Sequence, residues 1–117
     1  MAAGIWNALC EQGATFRRVL TWKDADGVAQ NLTGYTARMQ VRDTVDDTAG
    51  PVLTLTTENG RISLGGVAGT VTLLVDATTT AALTPEQYVY DLEVVSSTGF
   101  VTRLVQGTFI VSGEVTR

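Results

Sequence analysis

The chain has 117 residues, 8 basic against 12 acidic side chains, a net charge of −4 and no histidine. That length suits one hydrophobic core and not two. The missing histidine removes the commonest general base, the usual partner of a serine or cysteine nucleophile and the commonest zinc ligand, and the acidic balance disfavours a phosphate-tracking surface.

Residues 1–12 read as an N-terminal arm placed before a β domain of residues 13–117. The arm, Met1-Ala-Ala-Gly-Ile-Trp-Asn-Ala-Leu-Cys10, lacks the basic start and long apolar stretch of a secretory signal, and bulky Leu9 before the cysteine argues against a lipoprotein signal. Its Ile5, Trp6 and Leu9 are spaced as one helical face and must cover something. They either fold back on the domain or dock on a neighbouring subunit.

Elsewhere 19 threonines and 15 valines against 4 serines favour sheet over helix. Between Ala14 and Lys23, Phe16, Leu20 and Trp22 share a face, with Arg18 and Val19 as exceptions. Asp24-Ala-Asp-Gly27 closes this strand as a tight turn. Tyr35 to Arg42 alternates most cleanly, with Tyr35, Ala37, Met39 and Val41 inward. The segment 43–50 is an acidic exposed loop, and Val52–Thr56 and Arg61–Leu64 flank an Asn59-Gly60 pair that predicts a hairpin. Thr70 to Asp76 resumes as strand. One short helix or 3₁₀ turn sits between residues 78 and 87, and Tyr88–Val95, Phe100–Gln106 and Thr108–Val115 complete a meander.

Seven or eight short strands at turn spacings near ten predict an all-β fold, a single antiparallel sandwich of immunoglobulin-like architecture. The longest strongly apolar run, Leu73-Leu74-Val75, falls far short of the roughly 20 residues that span a bilayer. A soluble protein without membrane contact is expected. Cys10 is the only cysteine, so no internal disulfide forms, and a reducing compartment suits the chain.

No set of residues stands out as catalytic. Asp24-Ala-Asp-Gly27 resembles the start of a calcium loop, but Thr33 stands where the bidentate glutamate would be. Asp43, Asp46 and Asp47 read as a solvated loop. Glu58, Glu86, Asp91 and Glu93 offer no distinguished glycosidase pair; Asp91 faces solvent or meets Arg103 across a hairpin. Cys10 has no base to activate it. A sugar-binding module would use exposed aromatics, with Trp22, Tyr88 and Phe100 as candidates.

Glu11-Gln-Gly-Ala-Thr-Phe16, Trp22-Lys-Asp-Ala-Asp-Gly27, Asn31-Leu-Thr-Gly-Tyr35, Ala37-Arg-Met-Gln-Val-Arg42, Tyr90-Asp-Leu-Glu93 and Leu104-Val-Gln-Gly107 occur in an order that resembles small bacteriophage and prophage virion proteins. The group is similar to the N-terminal β-sandwich of upper baseplate proteins and to tail-fibre and tail-spike adaptors. The likeness covers most of residues 11–117, and the end at Val115-Thr-Arg117 reads as that of a complete small protein. It implies a non-enzymatic structural protein of the tail, collar or baseplate region, made in the bacterial cytoplasm and assembled in several copies on the virion. Its partners would be other copies of itself and neighbouring virion proteins, with no nucleic acid, small-molecule substrate, cofactor or metal. Gly13, Gly27, Gly34 and Gly107 would be turn or close-approach positions. A head decoration protein and a host-glycan-binding module are the alternatives.

Overall fold

The structure is a computed structural model that describes residues 4–46 and 48–115. It is an all-β chain with two sheets. The larger contains β1 (Gly4–Ile5), β2 (Ala8–Glu11), β4 (Thr36–Arg42), β5 (Leu53–Thr56), β8 (Gln87–Val95) and β9 (Val101–Ser112); the smaller contains β3 (Phe16–Thr21), β6 (Ile62–Leu64) and β7 (Thr70–Val75). The larger runs β1 and β2, then β9, β8, β4 and β5, and the smaller runs β3, β7, β6. Inward residues of both sheets form one core. β4 supplies Ala37, Met39 and Val41, β7 supplies Val71, Leu73 and Val75, and β8 supplies Tyr88, Tyr90, Leu92 and Val94. Phe16 of the smaller sheet meets Phe109 of the larger, ring centroids 5.4 Å apart.

Four expectations need correction. Residues 4–11 are not a separate arm and not a helix, because β1 and β2 pair with β9, and do so in parallel. Met1 to Ala3 of the expected arm lie outside the described residues, as do Asp47 of the acidic cluster and the final Thr116-Arg117. The Asn59-Gly60 segment is not a hairpin, since β5 pairs with β4 and β6 with β7, so the chain changes sheets there. Asn59 makes this corner. Its Oδ1 accepts from the amides of Thr56 and Arg61, both at 3.0 Å, and its Nδ2 donates to the carbonyl of Thr54 at 3.0 Å.

The two strands expected on either side of Gly107 are one, β9. With β1 and β2 added, nine strands are formed among the described residues, against the seven or eight expected. The short helical turn expected near residues 78–87 is α1, Ala77–Ala81. Asp76 caps it, its Oδ1 accepting from the Thr79 amide at 3.0 Å, and those bonds to Thr79 hold the carboxyl below its ordinary range.

A polar knot ties this helix to the N-terminal segment. Thr80 is fully buried; its Oγ1 accepts from the Gly13 amide at 3.1 Å and donates to the Ala14 carbonyl at 2.8 Å. Gln12 donates to the Leu83 carbonyl at 3.0 Å and accepts from the Glu114 amide at 3.0 Å. Buried polar groups that lose their partners keep their desolvation cost. Thr80→Val, which preserves shape, is therefore expected to lower stability by about 1–3 kcal/mol, while Thr80→Ser stays near the parent. Urea melts of the two variants check this.

Candidate functional site

The N-terminal strand pair alternates with period two. Trp6, Ala8 and Cys10 turn inward, while Ile5 and Leu9 turn outward. Ile5 is 80% exposed and Leu9 47% exposed, and Leu9 lies directly opposite Ile110, itself exposed at 38%. The structure thus separates the three predicted docking residues. Ile5 and Leu9 share the outer face, and Trp6 packs against the core with its ring edge-on to Tyr90 at 6.1 Å.

Between β1 and β2 the ladder is interrupted. Trp6 donates to the Gln106 carbonyl at 3.0 Å, as a parallel pair requires, but the return bond from the Thr108 amide goes to Asn7 Oδ1 at 3.1 Å. The Trp6 carbonyl instead accepts from the Tyr90 hydroxyl at 2.6 Å. Burial pushes the Tyr90 phenol well above its ordinary range, so it stays protonated and remains a donor. Gly107 makes the arrangement possible. A Cβ there would come within 2.4 Å of the Trp6 carbonyl oxygen and 2.9 Å of Asn7 Oδ1.

Arg18 explains its exceptional place in the alternation of β3. Its guanidinium sits 4.9 Å from the Phe16 ring centroid and donates to the Leu9 carbonyl at 3.0 Å, joining the edge of one sheet to the edge of the other. Cys10 is fully buried, and burial pushes its thiol up, away from the reactive thiolate.

The remaining candidates do not converge. Asp24 Oδ1 accepts from the amides of Asp26 at 2.9 Å and Val28 at 3.0 Å, so it closes its own turn. Glu58 accepts from the Thr57 hydroxyl beside it. The Asp43 carboxyl beside Glu86 raises the Glu86 carboxyl above its ordinary range. Glu93 pairs with Arg38 at 2.9 Å, and Asp91 lies 3.4 Å from Arg103, the cross-hairpin contact that alternation suggested. Of the aromatics, Trp22 stands edge-on to Tyr35 at 6.3 Å, Tyr88 is buried with its hydroxyl on the Thr84 carbonyl at 2.7 Å, and only Phe100 is freely exposed, at 72%.

Sequence reasoning missed the Tyr90 latch and the Gln12–Thr80 knot, which join residues far apart in the chain. It also missed a row on the outer face of the larger sheet, where Gln40, Asp91 and Gln106 stand directly opposite one another on β4, β8 and β9. Their outward places in the alternation were the available signal. No protein-family model matches the chain, and no curated protein matches it.

Proposed function

We propose that the chain forms an immunoglobulin-like β-sandwich that serves as a non-enzymatic structural protein of a bacteriophage virion, an adaptor or spacer of the tail, collar or baseplate region present in several copies. The ordered resemblance of segments from Glu11 to Gly107 motivates the class. The observation that carries the role is the apolar strip of Ile5, Leu9 and Ile110, held outward where β1 and β2, fastened in place by Tyr90, Gln12 and Arg18, run along β9. A rigid strand loses little further freedom when it docks, so the strip suits a permanent contact with a neighbouring copy or attachment protein.

Removing residues 1–12 would expose the edge of β9 and take Ala8 and Cys10 out of the core, so it cannot separate docking from folding. The paired substitution Ile5→Asp with Leu9→Asp alters only the outer face. It is expected to leave the melting profile close to the parent and to abolish incorporation into particles. Normal incorporation of the folded double variant overturns the docking role. Immunogold labelling then distinguishes a tail position from decoration of the head.

A further inference from the structure

Across the outer face of the larger sheet runs a groove of about 450 Å³, within the size range of small-ligand sites. Its floor carries Gln40, Asp91 and Gln106, one from each of three adjacent strands, and Ile5, Val45 and Val89 also line it. Arg42 donates to Gln40 Oε1 at 2.9 Å and Arg103 donates to Gln106 Oε1 at 3.1 Å. Each amide oxygen is thereby occupied, and the two NH₂ groups have no partner among the described residues. Among the described residues Asp91 meets only the distant Nε of Arg103, a half-exposed contact that leaves its carboxylate able to accept. The row thus reads donor, acceptor, donor, at the strand spacing of about 4.8 Å.

We infer that this groove binds a neutral saccharide. Hydroxyl groups both donate and accept, so one sugar edge can satisfy amide and carboxylate together, while the ring's C–H faces meet aliphatic lining such as Val45 and Val89. Other ligand classes fit less well. The backbone of these strands is already paired on both sides, which leaves an extended peptide no ladder to join. Tyr90 lines the groove, but its ring is buried in the core beside Trp6 and offers no stacking platform for a nucleobase, and both arginines are engaged with neighbouring side chains rather than open to an anion. This site differs from the one that Trp22, Tyr88 and Phe100 suggested, and although Ile5 also belongs to the proposed docking strip, the polar row of Gln40, Asp91 and Gln106 does not.

The test is a heteronuclear NMR titration of the full chain, in turn, with glucose, galactose, mannose and their disaccharides. At least one sugar is expected to give saturable shifts of the Gln40 and Gln106 side-chain amides, with a Kd on the order of 1 mM. Asp91→Ala should weaken that binding at least tenfold, because an acceptor bearing charge is lost. Asp91→Asn should fall between, and Arg38→Ala, which alters the same face outside the groove, should bind as the parent does. The spectra themselves report whether each variant is folded. The inference is overturned by the absence of a saturable shift with any of these sugars, by unchanged affinity in folded Asp91→Ala, or by an equal response to an uncharged hexapeptide. Ile5 is left untouched in every variant, so loss of sugar binding is distinguishable from loss of docking.

Discussion

Replacing Phe109 by alanine is expected to destabilise the domain by about 3–5 kcal/mol, a large share of the roughly 5–15 kcal/mol that holds a small domain together. Phe109 has no exposed surface, lies opposite Ala8 on one side and Tyr88 on the other, and its ring meets Phe16 at 5.4 Å and Tyr90 at 6.4 Å. It is therefore the point where the N-terminal strand, the long hairpin and the smaller sheet meet, and a cavity there cannot be closed by moving one element alone. Phe100→Ala removes the same side chain from an exposed hairpin tip and should cost no more than about 0.5 kcal/mol. Urea denaturation followed by circular dichroism compares the two. Equal midpoints for both variants would contradict the placement of Phe109 at the joint.

The second large effect concerns a glycine inside a strand. Gly107→Ala puts a methyl group within 2.4 Å of the Trp6 carbonyl oxygen, a backbone atom that cannot move unless residues 6 and 7 leave Tyr90 and Thr108. A loss of about 1–3 kcal/mol is expected, with a rise in the acrylamide quenching of tryptophan fluorescence as Trp6 is released. Gly4→Ala is the control. The nearest atoms to a Cβ there lie at 3.6 Å, an ordinary contact, and no comparable change should follow. A Gly107→Ala variant that melts with the parent and shields its tryptophans equally would show that the latch is looser than its geometry.

These two positions also mark what could be read from the chain. The alternation of residues 35–42 set the inward face of β4 and its end, with the start one residue early, because a strand with one buried side writes its orientation into every second residue. β7 was legible for the same reason. The N-terminal segment was not. Ile5 and Leu9 are four apart, a spacing that shares a face in a helix and in a strand alike, and the inward Ala8 and Cys10 are too small to reveal the period. The break expected between two strands at Gly107 is absent, and of the two roles expected for this glycine, turn or close approach, it has the second, making room for the Trp6 carbonyl of the parallel neighbour. Asn59-Gly60 is a sound turn signal that fixes a local bend but does not say whether the next strand rejoins its predecessor or changes sheets.

At the candidate site, the outward Gln40 and Asp91 were visible as polar positions of strands, and of the two surroundings expected for Asp91, solvent or Arg103, the structure shows the contact with Arg103. Their alignment with Gln106 depends on the register of three strands, which includes a shift between Leu92 and Glu93 that alternation cannot supply.

The parallel course of β1 and β2 along β9 has a mechanical consequence. Gly4 lies beside Val105, partway along β9, and Glu11 beside Ser112 at its end, so Gly4 and Ser112 stand at opposite ends of the paired segment. Tension applied between those ends drives the two strands past each other lengthwise. The ladder bonds run across that direction and are strained together, in shear, instead of opening one after another from an end. A domain wired in this way resists stretching along its own axis more strongly than its modest size suggests.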